Sequence, residues 1–157
     1  MGKLVGQEEI IDIVRIRQRE GKTFVLTNGC FDILHVGHVR YLQKTKSFAD
    51  TLIVLLNSDK SVRSIKGPTR PINNENDRAE ILCALSCVDY VVMFDEDSPR
   101  NLLDEMKPDV YTKGADYTME TLPEADIMRK NGTRVEFISF VEGKSTTRII
   151  NKVNREQ

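Results

Sequence analysis

Short apolar runs alternate with amphipathic stretches along most of the chain. The apolar runs predict buried strands, and apolar residues spaced three or four apart predict helices with one inward face. The predicted strands cover residues 23–27, 51–57, 89–94, 109–112 and 134–138. The predicted helices cover residues 8–19, 36–47, 74–86, 98–106, 123–130 and 146–153. Residues 58–73 are predicted to form a long loop, because Gly67-Pro68 and Arg70-Pro71 interrupt regular structure.

This alternation favours an α/β fold, in which a parallel sheet is covered by helices on both faces. The 157 residues suit one domain, expected to span residues 1–157. Ligands of such sheets bind beyond the carboxyl ends of the strands. The loops that follow the predicted strands are therefore expected to converge on one edge and to form a single site.

Both histidines of the chain, His35 and His38, lie at the predicted start of one helix. Backbone N–H groups at a helix N-terminus are unpaired and partly positive, which suits phosphate. Two imidazoles add hydrogen-bond donors that can follow charge onto phosphate oxygens, and Gly37 lets phosphate approach the backbone. The segment predicts a phosphate-binding site. A metal site completed by Asp32 or a cysteine is the alternative hypothesis, although no further ligand spacing is present.

The predicted loop between residues 60 and 74 contains four basic residues and no acidic one: Lys60, Arg63, Lys66 and Arg70. In a chain with a net charge of −1, this is a local positive patch. One interpretation is a flexible clamp on a phosphorylated substrate, ordered when the substrate binds. The other is a solvated loop that keeps the protein soluble. The nearby histidine motif favours the clamp.

Two further segments could bind phosphate. Lys113 follows a predicted strand and can reach phosphate, while Gly114 permits close ligand approach; an ordinary turn is the alternative. Residues 143–148, Gly-Lys-Ser-Thr-Thr-Arg, precede the last helix and offer hydroxyls and free amides. A Walker phosphate loop would need a glycine at position 138, which is Ile138, so that pattern fails. A capped helix is the alternative here.

Composition narrows the functional classes. The near-neutral charge gives no case for non-specific attraction to nucleic acid or membranes. The longest apolar run, residues 52–56, is far below the ~18 residues of a membrane span, and the start of the chain lacks a signal-peptide pattern. Cys30, Cys83 and Cys87 have neither disulfide nor zinc spacing. A cytoplasmic location is therefore expected.

Residues 27–38, Thr-Asn-Gly-Cys-Phe-Asp-Ile-Leu-His-Val-Gly-His, resemble the signature of the cytidylyltransferase-like nucleotidyltransferases. Further segments resemble the adenylyltransferases of ADP-heptose synthesis, and they follow in order from about Gly21 to Val153. These segments are Asn57-Ser58-Asp59, Arg70-Pro71-Ile72-Asn73, Asp77-Arg78, residues 88–92, Pro108-Asp109-Val110, residues 113–117 and residues 142–147. The resemblance implies a Rossmann-like nucleotidyltransferase fold.

The resemblance also implies an activity. Members of the heptose branch join ATP to D-glycero-β-D-manno-heptose 1-phosphate, with Mg²⁺ as cofactor, and release pyrophosphate. The expected partners are ATP and a sugar phosphate, in a homodimer, without nucleic acid or membrane. Two positions depart from related sequences: Ala115 stands where a second glycine is common, and Phe140 stands where glycerol-3-phosphate cytidylyltransferases have arginine. The second departure disfavours the alternative reaction of CTP with glycerol 3-phosphate.

Residue roles follow from the resemblance together with the chemistry above. His35 and His38 are assigned to the triphosphate and to the charge developing at the α-phosphate, and Lys66 to the attacking phosphate, as the three catalytic residues. Expected nucleotide contacts also include Cys30, Phe31, Lys113, Gly143, Ser145, Thr146 and Thr147. Expected contacts to the sugar phosphate also include Asp32, Arg70, Arg78 and Arg100. No protein ligand to a metal is expected, because Mg²⁺ is commonly held by the triphosphate and water.

Other functions remain as alternatives. The nearest is a nucleotidyltransferase acting on another phosphorylated alcohol or a flavin precursor. A non-catalytic module that binds nucleotide is a second alternative, which the intact histidine pair disfavours. An enzyme linked to tRNA is a third, but the chain has no room for an anticodon domain and no surplus of basic residues.

Overall fold

The computed structural model describes residues 1–139 and 144–156. Six strands lie in this part of the chain: β1 (Lys3–Leu4), β2 (Phe24–Gly29), β3 (Thr51–Asn57), β4 (Tyr90–Phe94), β5 (Val110–Gly114) and β6 (Arg134–Ile138). The same part contains seven helices: α1 (Gln7–Arg19), α2 (Val36–Lys46), α3 (Asp59–Lys66), α4 (Glu75–Cys83), α5 (Arg100–Met106), α6 (Ala125–Asn131) and α7 (Thr146–Arg155).

The strands form one sheet in the order β1-β4-β3-β2-β5-β6, and every neighbouring pair is parallel. The carboxyl ends of all six strands therefore lie along one edge. Chain order reverses at β2, which pairs with β3 on one side and β5 on the other. Such a reversal opens a crevice beyond the strand ends. The predicted parallel sheet is confirmed.

Helices cover both faces of the sheet, as predicted. On one face, Ile10 of α1, Leu103 of α5 and Met128 of α6 pack in a common apolar cluster. On the other face, Leu42 of α2 and Leu82 of α4 pack in a second cluster. Every residue of β3 is buried, which explains the uninterrupted apolar run in its sequence. Burial of each such Leu or Ile side chain contributes about 1.5–3 kcal/mol.

The prediction of a loop over residues 58–73 is wrong in its first half, because α3 occupies Asp59–Lys66. The Ser58 side chain caps this helix by accepting a hydrogen bond from the Ser61 N–H at 3.2 Å. Val62 is buried and anchors the helix to the protein. The helix ends at Gly67, whose φ of +99° suits glycine.

The two-residue strand β1 was not predicted. It extends the sheet beyond β4, where Lys3 pairs with Tyr90 and Leu4 with Val91. Among the described residues, no helix combines the length and apolarity needed to cross a membrane.

Candidate active site

A cavity of about 520 Å³ opens beyond the carboxyl end of β2. The loops after β2 and β5, the starts of α2 and α7, and the end of α3 contribute to its lining. The lining contains these predicted site residues: Cys30, Phe31, Asp32, His35, His38, Lys66, Lys113, Ser145, Thr146 and Thr147. Gly143 lies outside the described residues. Arg70, Arg78 and Arg100 do not line the cavity.

The histidine pair is fixed by the first turn of α2. The Gly37 N–H donates to His35 Nδ1 at 3.1 Å, and the His35 N–H donates to His38 Nδ1 at 3.3 Å. Because each Nδ1 accepts a hydrogen bond, each neutral ring carries its proton on Nε2. The rings are stacked with centroids 3.8 Å apart. Both imidazoles therefore present an Nε2–H donor, and that of His35 is buried without a partner among the described residues.

Both imidazoles are neutral near pH 7. Burial lowers the pKa of His38 to about 4, with repulsion from His35 and Lys66 adding to the effect. Burial and the nearby Lys144 lower the pKa of His35. Protonation of both stacked rings would place two positive charges side by side, and their repulsion is unfavourable in the absence of an anion. A bound triphosphate would favour the protonated forms, so the pair can respond to charge as it develops on phosphate.

Phe31 supports His38 from the side. The edge of the Phe31 ring contacts His38, with centroids 5.3 Å apart. The Phe31 backbone has a φ of 45°, a left-handed conformation that costs about 1–3 kcal/mol in a bulky residue. Gly29 makes room for the ring, because a Cβ at that position would lie 2.9 Å from Phe31 Cε2. The glycine of the sequence motif thus lets Phe31 pack against the His38 ring.

The cavity is lined by more cations than anions. Lys66, Lys113 and Lys144 contribute positive charge, and Asp116 is the carboxylate of the lining besides Asp32. Burial lowers the pKa of Lys113, whose Nζ lies 5.1 Å from the centroid of the Tyr117 ring. This distribution suits a polyanionic ligand.

The Asp32 carboxylate holds the loop at residues 70–73 beside the cavity through hydrogen bonds. Its carboxylate accepts hydrogen bonds from the Ile72 and Asn73 N–H groups and from Arg70 Nε, each at 2.9 Å. Burial opposes ionisation of Asp32, yet these donors together hold its pKa below the ordinary value. Both carboxylate oxygens are thus engaged, so Asp32 acts by positioning residues 70–73. Arg70 keeps one buried nitrogen, Nη2, without a partner in the described part of the chain.

Arg78, which was expected to contact the sugar phosphate, does not line the cavity. Its guanidinium is fully buried and donates to the carbonyl oxygens of Cys30 and Asn57 at 2.7 Å and of Asn73 at 2.9 Å. It also pairs with Asp59 at 2.9 Å. Arg78 therefore joins three loops around the site, and each of its three side-chain nitrogens donates to a protein oxygen.

Arg100 also lies outside the cavity lining. It lies on α5, and its half-exposed side chain pairs with Asp126 at 2.8 Å and donates to the Pro123 carbonyl at 2.6 Å. These partners belong to the region around the start of α6 and not to the cavity.

The start of α7 closes another side of the cavity. Ser145 caps the helix by accepting from the Arg148 N–H at 3.0 Å, as the cap prediction expected. The Thr146 hydroxyl donates to the Ile33 carbonyl at 3.0 Å and ties α7 to the loop after β2. The free amides of this helix end are thereby held beside the histidines.

The expected site residues did not include every residue that lines the cavity, and Tyr41 and Asn28 are two of those missed. Tyr41 follows His38 by three positions, which places both on one helix face, so its spacing was an available signal. Its hydroxyl shares hydrogen bonds with the hydroxyls of Thr27 and Thr112. Asn28 accepts a hydrogen bond from the buried Tyr111 hydroxyl, and no local pattern indicates that contact.

Cys30 is unsuited to nucleophilic chemistry. Its thiol is buried, and burial raises its pKa despite the nearby Lys66 and Arg78. Within residues 1–139 and 144–156, no group of three or more His, Cys, Asp and Glu side chains could hold a metal ion.

Comparison with known proteins identifies the family. The cytidylyltransferase-like family model matches residues 26–152, which include the histidine motif, β5 and most of α7. The chain belongs to the cytidylyltransferase-like family.

Relatives in this family are similar over nearly the whole chain. A bifunctional protein HldE of Syntrophotalea carbinolica is 53% identical over 94% of this chain and 30% of its own length. A bifunctional protein HldE of Geobacter metallireducens is 51% identical over 98% of this chain and 31% of its own length. The chain thus spans about a third of the length of the curated relatives it matches.

A solved structure agrees with the fold. The lipopolysaccharide core biosynthesis protein of Thermoplasma volcanium matches with a TM-score of 0.63 and 31% identity. The match covers 79% of this chain and all of the other chain. The α/β nucleotidyltransferase fold of this family member is thereby supported by a solved protein as well.

Proposed function

We propose that this chain transfers the adenylyl group of ATP to D-glycero-β-D-manno-heptose 1-phosphate, giving ADP-heptose and pyrophosphate. The observation that carries the proposal is the neutral, stacked pair of His35 and His38 in a cavity lined by lysines. Relatives called bifunctional protein HldE and a lipopolysaccharide core biosynthesis protein support the choice of a heptose. The motif segments that resemble adenylyltransferases of ADP-heptose synthesis support ATP as the nucleotide.

The reaction needs alignment and charge stabilisation more than a base. The sugar phosphate is already anionic at neutral pH, so its oxygen can attack the α-phosphorus directly. A new bond forms between that oxygen and the α-phosphorus, and the bond to the β-phosphate oxygen breaks. The electron pair of the broken bond leaves with pyrophosphate. Negative charge shifts during this step, and the protein must stabilise it.

Different residues of the cavity align the substrates and stabilise the developing charge. The Nε2–H groups of His35 and His38 donate to the triphosphate and to the α-phosphate as its charge changes. Lys113 and the free amides at the start of α7 hold the outer phosphates. Lys66, at the exposed end of α3, binds the attacking phosphate. The Cys30 and Phe31 backbone borders the nucleotide.

The cavity fits a metal that arrives with ATP. Both oxygens of Asp32 are engaged by the loop at residues 70–73, which leaves Asp116 as the other lining carboxylate. Mg²⁺ bound by the triphosphate and water, beside Asp116, would reduce repulsion between the phosphates and the attacking oxygen. The resemblance also supports one nucleotidyltransferase domain over residues 1–157, a homodimer and a cytoplasmic location as parts of the proposal.

Pyrophosphate release tests the function. ATP, CTP and GTP are each combined, with Mg²⁺, with the β-heptose 1-phosphate or with glycerol 3-phosphate. Release with ATP and the heptose alone is expected. Release with CTP and glycerol 3-phosphate would instead place the protein in the neighbouring branch.

A His38→Ala variant tests the role of His38 in this reaction. It removes a donor that stabilises transition-state charge, so turnover should fall by about 10²-fold or more. Turnover equal to that of the wild type would remove His38 from the mechanism.

A further inference from the structure

The side-chain amide of Asn28, near the end of β2, is fixed by one buried hydroxyl. Asn28 lines the cavity, whereas Tyr111 of β5 is fully buried. The Tyr111 hydroxyl donates a hydrogen bond to Asn28 Oδ1 and has no other acceptor in residues 1–139 and 144–156. In the reverse orientation of the amide, the buried hydroxyl proton would lack an acceptor, which is costly. The contact therefore directs Asn28 Oδ1 towards Tyr111.

The Nδ2 group of Asn28 is the part of the side chain that remains for a ligand. It makes no hydrogen bond within the described part of the chain. Asn57, at the end of the neighbouring strand β3, differs in this respect, because it is buried and its Nδ2 donates to the Ser61 hydroxyl at 2.9 Å. An amide NH₂ group supplies two donors, which suit phosphate and hydroxyl oxygens. Asn28 thus offers donors to a molecule in the cavity.

Strand geometry places Asn28 on the side of the cavity away from the histidine pair. Successive side chains of a strand point to opposite faces of the sheet. The Thr27 hydroxyl lies 2.9 Å from the hydroxyl of Tyr41 in α2, so Asn28 points to the other face. Tyr111 packs in the apolar cluster of that face, together with residues of α1, α5 and α6. Asn28 and the histidines therefore contact different parts of a bound ligand pair.

We infer that Asn28 is a further substrate-binding residue, whose Nδ2 group donates a hydrogen bond to an oxygen of the sugar phosphate. The inference rests on the proposed function, which assigns the triphosphate to the histidines and to the start of α7. A Cβ at Gly37 of α2 would lie 3.4 Å from Lys144 Cβ, so the start of α7 is also on the α2 side. The side that Asn28 faces is then left for the sugar phosphate.

The double variant Asn28→Leu/Tyr111→Phe tests this assignment. It removes both partners of the internal hydrogen bond, so that neither is left unsatisfied, and it replaces them by apolar side chains of similar size. The melting temperature should therefore stay close to that of the wild type. The KM for the sugar phosphate is expected to rise about tenfold, because a hydrogen bond to the ligand is lost. The KM for ATP should not change.

Tyr111→Phe alone is the matched control, because it removes the internal hydrogen bond and keeps the Asn28 amide. It should lower the melting temperature, but it should raise the KM for the sugar phosphate much less than the double variant does. If Asn28 served only to satisfy Tyr111, the double variant would bind the sugar phosphate as the wild type does, and the inference would be overturned. A rise confined to the KM for ATP would also overturn it.

Calorimetric titration gives a readout that does not depend on turnover. D-glycero-β-D-manno-heptose 1-phosphate is titrated into the wild type and both variants, with Mg²⁺ and an ATP analogue that cannot release pyrophosphate. Binding about tenfold weaker in the double variant is expected. Equal affinities, with pyrophosphate release by the wild type, would reject the role of Asn28 alone. Weaker binding by the double variant, without pyrophosphate release by the wild type, would reject the proposed reaction alone. Absence of binding by the wild type would overturn both.

Discussion

Gly37 lies between His35 and His38 in the sequence, and a side chain at this position would collide with the His35 ring. A Cβ at this position would lie 2.8 Å from His35 Cε1 and 2.9 Å from His35 Nδ1. The same residue donates its N–H to His35 Nδ1. The glycine thus has both a steric and a hydrogen-bonding role, and both affect one ring.

Gly37→Ala should displace the His35 ring and lower the rate of pyrophosphate release by about 10²-fold, because misplacement of a catalytic group by 1 Å can cost that much. Alanine is favoured over glycine in a helix, so the melting temperature should not fall. Gly6→Ala is the control, because an added Cβ there meets nothing within 4 Å and the Gly6 φ of −75° suits alanine. Full activity of Gly37→Ala would show that the ring tolerates the contact.

Lys66 and Lys60 lie on the same helix, but only Lys66 lines the cavity. Lys66→Ala should raise the KM for the sugar phosphate by about tenfold, because one charge-assisted hydrogen bond is lost. Lys60→Ala should leave it unchanged. Steady-state kinetics with each substrate varied in turn measure both effects. An effect of Lys66→Ala on the KM for ATP alone would assign Lys66 to the nucleotide instead.

At the scale of elements, α4 holds the site together through one buried side chain. Arg78 links the loop after β2, the end of β3 and the loop before α4 through carbonyl oxygens of Cys30, Asn57 and Asn73. Its ion pair with Asp59 adds the start of α3. The geometry of the cavity therefore depends on a residue outside it.

Arg78→Met should lower the free energy of unfolding by about 3–5 kcal/mol, because it leaves buried acceptors and a carboxylate unpaired. Arg100→Met removes an exposed ion pair with Asp126 and should cost about 1 kcal/mol or less. Urea unfolding of both variants makes the comparison. Similar values for the two would mean that the Arg78 contacts add little to stability.

The sequence predicted elements well where their pattern is local. The strand at residues 51–57 and the helix at residues 36–47 follow from apolar runs and spacing, and the structure places β3 and α2 there. The helix α3 was missed because Gly67 and two prolines dominate the segment, although Ser58 was an available cap signal. The contacts of Arg78 depend on partners far apart in the chain, so no local pattern could indicate them.

The stability of the whole molecule should depend on the protonation of His38. Its pKa is about 4 in the folded protein, below the ordinary value of 6.5. Between these values the unfolded chain binds more protons than the folded chain, so the free energy of unfolding should fall as the pH falls through this window. Stability from Asp32 is lost only at more acidic pH, because the Asp32 pKa lies below its ordinary value of 3.8.

Urea unfolding across this pH window, in the wild type and in His38→Gln, measures the contribution of His38. Glutamine can still accept a hydrogen bond from the His35 N–H and does not titrate. The variant should show a shallower dependence on pH. Equal slopes would mean that His38 titrates normally in the folded protein.

Each margin of the sheet carries a small polar feature. At one margin, β1 covers β4 through hydrogen bonds from the Lys3 and Val5 N–H groups, each at 3.0 Å. At the other margin, β6 carries an ion pair between Arg134 and Glu136. A bare, apolar strand is a template for cross-β association between molecules. Changes that detach β1 would therefore leave β4 as an uncovered edge and favour association between molecules, without touching a residue of the cavity.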